Sequence, residues 1–257
     1  MRDMKRDAGR QPEDGLKSLL KVVSILEAFS TSRRSMSLAE ICAATSFPRS
    51  TTHRLAASMR DVGLLDQDGH RDRYRLGIRL FEFGNTVLAN MDLHREARPF
   101  VDTLSRVTGH LAHLAVFDGW QVIVIHRVPA DTGTPLTFIE AAPVHCTSTG
   151  KAILAFQPNA KIDAIIAAGL QRFTDATIID GRKLRNELKL IRARGFAFDE
   201  GEHQPGIRCV GAPIHDRAGR VIAGLSVTGP TRGLPKAQMM ELAKIVVHQA
   251  KLIETKL

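Results

Sequence analysis

"SLAEICAATSFPRSTTHRLAASMRDVGLL", residues 37–65, decides how the amino-terminal part of this chain folds. Ser37-Leu-Ala-Glu40 has the spacing of a capping box: the serine oxygen accepts from a backbone N–H one turn on, and the glutamate reaches back to the serine N–H. A short helix therefore starts near Leu38, with Leu38, Ile41 and Cys42 inward, and stops at Thr45 and Ser46. Pro48 opens the next helix, in the first turn, where a missing N–H is no loss. Two helices joined by three or four residues make a helix-turn-helix.

At 100° per residue, Leu55, Ala56, Met59 and Val62 share a side with Thr52, while Ser50, His53, Arg54, Ala57 and Asp61 turn away. One face is a core. The other crowds a serine, a histidine and an arginine at the N-terminal end, flanked by Arg49 and Thr51. In a helix-turn-helix that end meets base edges in the major groove, while hydroxyls and backbone N–H groups meet phosphates. A guanidinium can take guanine O6 and N7 with two bonds. Double-stranded DNA is the surface that fits, with Arg49, Ser50, Thr51, His53 and Arg54 as candidate contacts. Such a run in isolation is more often a solvated face; the capped helix before it and the hairpin after it weigh for DNA.

That hairpin is "VGLLDQDGHRDRYRLG", residues 62–77, in which Gly63 ends the helix and Asp68-Gly69 turns one strand into another. This reads as a wing. Arg71 and Arg73, with Arg75, alternate along one strand face and can lie on phosphates or in a minor groove. Upstream, Leu19, Leu20, Val22, Val23, Leu26 and Phe29 form a broad apolar stripe on a helix from Ser18 to Phe29. Residues 1–14, with alternating charges, Gly and Pro, read as a disordered tail.

Past the wing, Leu80, Phe81, Gly84, Val87, Leu88 and Met91 make a helical seam that must bury itself somewhere. Another helix carries Leu93, Ala97, Phe100, Val101, Leu104 and Val107 and ends at Gly109. "HLAHLAVFDGWQVIVIHRV" is a hairpin around Asp118-Gly119. "PLTFIE" reads as a strand, followed by helices near 151–156, 158–168 and 182–194. "CVGAPIHDRAGRVIAGLSVTG" is a second long hairpin, and a last helix runs from about Pro235. Hairpins interspersed with helices make an α+β domain with a largely antiparallel sheet.

A ligand pocket is expected in this second domain. Asp199 ends a strand, "EGEHQPGIR" is a polar loop, and Cys209, Ser226 and Thr228 follow, the last two on one strand face by period two. Opposite, "HCTSTGK" brings Thr147 and Gly150 to the start of a helix, a place for a carboxylate.

Composition bounds the alternatives. At 257 residues two domains are expected, and 44% hydrophobic residues supply real cores. The net charge is +9, but residues 1–76 hold fourteen Lys and Arg against ten Asp and Glu, only +4 of it. Charge alone does not nominate DNA. No apolar run reaches the ~18 residues of a membrane helix and no apolar leader opens the chain, so no membrane is expected as a partner. Three cysteines without a CxxC pair make neither a disulfide framework nor a zinc ribbon, and a reducing cytoplasm follows.

Catalysis finds little support, and no cofactor is expected. In "HCTSTGKA" His145 stands where the first glycine of a phosphate loop belongs, and Ala152 replaces the hydroxyl that would hold magnesium. A thiol hydrolase built on Cys209, His203 and Asp199 is the enzyme alternative, and a metal-responsive regulator using His110 and His113 is another. Both histidines are expected in packing or surface roles. One Trp and one Tyr give no stacking platform for RNA.

"SLLKVVSILEAF", the stretch at 37–65 and "YRLG" resemble the DNA-binding domain of the IclR family of bacterial transcriptional regulators. "APVHCTSTGKAILA", residues 142–155, and "RGFAFDEGEHQPGIRCVGAPIHDRAGRVIAGLSVTGP", residues 194–230, resemble two stretches of that family's effector domain. The resemblance implies a winged helix-turn-helix domain over 15–76, a linker and dimerisation helix over 77–92, and a GAF-like effector-binding domain over 93–257. It implies a homodimer or a dimer of dimers, operator DNA as partner, and a small-molecule effector, often an organic acid. Asp199, Cys209, Ser226 and Thr228 match the family's pocket positions, with Ile207 beside them. The chain departs from the family at Ser46, often glycine, and at Thr52, often aliphatic.

Overall fold

The computed structural model describes residues 12–30, 32–68, 72–129 and 141–257. Most of the expected tail, the Gly69 turn, Arg71 and the "PLTFIE" strand lie outside the described residues. The chain divides into two compact units, residues 1–87 and 88–257, so the division falls inside the expected linker helix.

In the first unit, α1 (Pro12–Glu27) starts six residues before the expected Ser18, taking in the last residues of the expected tail. Its apolar stripe is split: Ile25 is buried, with Val22 and Leu26 against it, whereas Leu19, Leu20 and Val23 are exposed. Strand β1 (Met36–Ser37) leads into α2 (Leu38–Thr45). The capping box forms as read: the Glu40 N–H donates to Ser37 Oγ at 3.3 Å and the Ser37 N–H to Glu40 Oε2 at 2.7 Å. Ser46 closes α2 at φ 58° in the left-handed region, where glycine is favoured by about 1 kcal/mol. Pro48 stands just before α3 (Arg49–Asp61) as its cap rather than as its first helical residue.

The buried stripe of α3 is Thr52, Ala56 and Met59, with Leu55 partly buried; Val62, expected inward, caps the helix and is exposed. Thr52 occupies an aliphatic place without leaving its hydroxyl unpaired, because Oγ1 donates to the Pro48 carbonyl at 3.1 Å. Strands β2 (Leu65–Asp68) and β3 (Arg73–Leu76) form the wing, and β1 pairs with β3 to complete a three-stranded antiparallel sheet. Ile41, Ala56, Met59, Leu65 and Tyr74 close the core with Ile25.

Helix α4 (Ile78–Ala89) buries none of its residues: Ile78, Phe81, Phe83 and Val87 stand in solvent. The second unit begins with α5 (Asp92–Thr108), closed by Gly109 in the left-handed region. Strands β4 (Leu111–Phe117), β5 (Gln121–Val128), β6 (Ala141–Pro143), β7 (Ala197–Glu200), β8 (Ile207–His215) and β9 (Val221–Pro230) form one antiparallel sheet in the order β6-β5-β4-β9-β8-β7. Val210, Ala212 and Ile214 of β8 and Ala223, Leu225 and Val227 of β9 face α5 and α9 (Met239–Glu254). The opposite face meets α6 (Ser148–Leu154), α7 (Asn159–Ala167) and α8 (Gly181–Arg194). Two apolar cores thus sandwich the sheet, and alternation along each strand sends every second residue to the α6 side.

Replacing Ser37 by Ala removes the side-chain acceptor at the start of α2. Urea denaturation is expected to show a loss of about 1 kcal/mol.

Candidate functional site

Two places gather the polar residues that the sequence singles out. On α3, Arg49, Ser50, His53 and Arg54 are exposed and Thr51 is partly buried. Neither Arg49 nor Arg54 has a hydrogen-bond or ion-pair partner among the described residues. The wing is different. Arg73 folds back onto the start of α2, donating to Ser35 Oγ at 3.1 Å and the Ser35 carbonyl at 2.7 Å, and pairs with Glu40 at 2.8 Å. Its guanidinium braces the capping box instead of standing free beside Arg54. The hydrogen bonds from Ser37, then Arg73, hold the Glu40 carboxyl below its ordinary range.

The second place is a cavity of about 70 Å³ on the α6 side of the sheet. Register builds its floor. Asp199 on β7 faces Cys209 on β8, Cys209 faces Thr228 on β9, and one pleat along, Ser226 on β9 faces His113 on β4. Thr228 Oγ1 donates to Cys209 Sγ at 3.2 Å and lies 3.5 Å from His113 Nδ1. Val122, Val124, Ala142 and Ile207 supply apolar wall, and His203 and Gln204 come from the β7–β8 loop.

The opposite wall is the start of α6. Thr147 caps it, accepting from the Gly150 N–H at 3.2 Å and donating to the Pro143 carbonyl at 2.7 Å. The helix sits backbone to backbone on β8 because residue 211 is glycine: a Cβ there would lie 2.7 Å from the Ser148 carbonyl carbon and 2.9 Å from the Thr149 nitrogen. Gly150 is equally confined, since a Cβ would lie 2.5 Å from Val144 Cα. Thr147, Asp199, Ile207, Cys209, Ser226 and Thr228 line the cavity; Gly150 does not, and its place is explained by packing.

Behind the cavity Lys151, 1% exposed, forms a buried ion pair with Glu202. The Glu202 N–H donates to Asp199 Oδ1 at 2.7 Å, and Thr177 Oγ1 donates to the Glu202 carbonyl at 2.6 Å. Burial pushes the Glu202 carboxyl up to about 7 against the pull of Lys151, and its Oε2 has no hydrogen-bond partner among the described residues. Asp199 is raised by burial as well. Cys146 is pushed up to about 12, and Cys209 well above its ordinary range, in both cases by burial first and the Asp199 charge second. Burial, then Arg127, pushes His113 down to about 3.

His113, expected in packing or at the surface, lies in the cavity wall. The signal available for it was period two from Leu111 in a strand whose partner carries Ser226. Lys151 and Glu202 gave no such signal, being 51 residues apart. Among the described residues no group of three or more His, Cys, Asp or Glu is placed to hold a metal ion.

Residues 85–255 match the model of the bacterial transcriptional regulator IclR C-terminal domain, and residues 18–69 match the IclR helix-turn-helix domain. The HTH-type transcriptional regulator KdgR of Escherichia coli is 30% identical over 254 residues, 98% of this chain and 96% of that protein. The acetate operon repressor of Salmonella typhimurium is 30% identical over 244 residues, 92% of this chain and 88% of the relative. Among solved structures, an IclR homolog from Microbacterium hydrocarbonoxydans complexed with 4-hydroxybenzoate superposes with a TM-score of 0.80 at 27% identity, covering 93% of this chain and 98% of that one.

In the unfolded chain Glu202 titrates near 4.5, so between there and about 7 the folded state holds the extra proton and stability from this group falls as pH rises. Glu202→Gln removes that contribution. Urea midpoints of the two proteins between pH 5 and 8 are expected to show the parent losing stability relative to the variant as pH rises; parallel profiles contradict the assignment.

Proposed function

The chain belongs to the IclR family of bacterial transcriptional regulators, and from that premise we propose that α3 reads operator DNA while the cavity beneath α6 takes a small polar effector. Within this IclR-type regulator, Arg49, Ser50, Thr51, His53 and Arg54 are assigned to the DNA interface, and Arg71 and Arg73 to the wing's phosphate contacts. Arg73 has Nε and Nη2 engaged by Ser35 and Glu40, which leaves Nη1 for a phosphate. The observation that carries the DNA assignment is the exposed N-terminal face of α3, where two arginines have no partner among the described residues.

Thr147, Asp199, Ile207, Cys209, Ser226 and Thr228 are assigned to the effector, with Gly150 shaping the helix start. Supporting this is their convergence on one cavity. The effector class we infer is a small organic acid; the ligand of the Microbacterium hydrocarbonoxydans homolog is one. The effector acts by binding two arrangements of the protein with different affinity.

We infer a regulator without catalysis. The Cys209 thiol is held protonated by burial and by Asp199, the reverse of what a hydrolase nucleophile needs. The apolar face of α4, with Ile78 and Phe81 72% and 64% exposed, supports a homodimer, or a dimer of dimers, that sets two α3 helices on two half-sites. Among the described residues no helix is long and apolar enough to cross a membrane, and the cytoplasm, where its DNA lies, is the inferred location.

Fluorescence anisotropy at fixed salt, with DNA from upstream of the protein's own gene beside scrambled DNA, tests the reading. Arg54→Ala is expected to weaken specific binding about tenfold or more; unchanged affinity and sequence preference refute the docking. Ser226→Ala or Asp199→Ala is expected to alter the response to organic acids while leaving DNA affinity within about twofold. Loss of folding in both would return these residues to a structural role.

A further inference from the structure

We propose that His113 selects, within this cavity, for effectors that carry a hydroxyl or N–H donor, because its Nε2 is the open acceptor end of a one-way hydrogen-bonded row across the sheet. The inference rests on the reading of the cavity as the effector site.

The direction of the row follows from counting hydrogens. Asp199 Oδ1 already accepts the Glu202 N–H, and burial beside that carboxylate keeps the Cys209 thiol protonated. The Cys209 sulfur accepts from Thr228 Oγ1 at 3.2 Å. A threonine hydroxyl has one hydrogen, so toward His113 it can only accept. The ring nitrogen facing it at 3.5 Å, Nδ1, therefore carries the proton. The other nitrogen, Nε2, is left with a lone pair.

That nitrogen is shut off from solvent and has no hydrogen-bond partner among the described residues. Protonation does not relieve it near neutral pH, since burial and Arg127 keep the imidazole neutral. A buried acceptor left unsatisfied costs about 1–3 kcal/mol. His113 lines the cavity, so an occupant whose donor displaces the lining enough to meet Nε2 recovers that cost, and an apolar ligand atom does not. The asymmetry discriminates between otherwise similar acids, as sites built to hydrogen-bond a hydroxyl reject the analogue lacking it.

Calorimetry on the full chain with matched acids tests this: glycolate against acetate, lactate against propionate, and 4-hydroxybenzoate against benzoate. In at least one pair the hydroxylated member is expected to bind about tenfold tighter or more. His113→Leu is expected to bring that pair within about threefold of each other, and His113→Gln, which keeps an acceptor oxygen, to retain a preference. Equal affinities within every pair, or a preference that survives His113→Leu, overturn the role of His113 while leaving the cavity reading intact. No binding by any of the acids overturns the cavity reading and the proposal with it. Nitrogen NMR of histidine-labelled parent protein gives a check that needs no variant: Nε2 is expected unprotonated at neutral pH, and a proton found there refutes the proposal.

Discussion

A buried ammonium has to find an opposite charge, and in this protein that requirement ties the two walls of the cavity together. Lys151 lies in α6 and Glu202 in the loop after β7. Removing one partner of such a pair costs about 3–5 kcal/mol, because the other charge is stranded. The loop that carries Glu202 also returns its backbone N–H to Asp199 and is held by the Thr177 hydroxyl. The carboxylate that begins the polar row is thereby placed by the same contact that fixes the helix across from it. Position, more than net stability, is what an ion pair of this kind supplies.

The first unit meets its own constraint with local hydrogen bonds. A short α2 has few intrahelical bonds to give up, so both of its ends matter. One is closed by Ser37 and Glu40, braced by Arg73, and the other by Ser46 in a conformation that serine tolerates poorly. Thr52 then brings a hydroxyl into the core and donates it to the Pro48 carbonyl, the last of the connection. These choices set the angle at which α3 leaves the turn, and with it the outward face of Arg49 to Arg54.

Much of this was legible in residue order. The capping box, the glycine helix ends at 109 and 195, and the period-two placement of Cys209, Ser226 and Thr228 are local patterns with local causes. Elements that depend on distant partners were harder. Period places Leu19, Leu20 and Val23 on the same broad stripe as Val22, Leu26 and Phe29, but only packing shows that the first three stay exposed and that Ile25, off that stripe, is the fully buried residue. Pattern likewise could mark the α4 seam as apolar without saying what covers it. Gly150-Lys151 has the order of a phosphate-loop tail, which His145 and Ala152 argue against, but nothing local shows that the environment of Lys151 is set by Glu202. Sequence spacing pairs His113 with His110, three residues away, whereas across the sheet it faces Ser226 and Thr228 on β9.

Gly211 carries a mechanical meaning beyond the room it makes. Where α6 meets β8, peptide units touch peptide units with no flexible side chain between them. Peptide planes do not compress or swing into another rotamer, so this junction is stiff. A shift of Ser148 and Thr149 has no side chain there to absorb it before it meets the β8 backbone, whose other face packs on α9 through Val210, Ala212 and Ile214. A methyl group at position 211 would be a wedge driven between strand and helix.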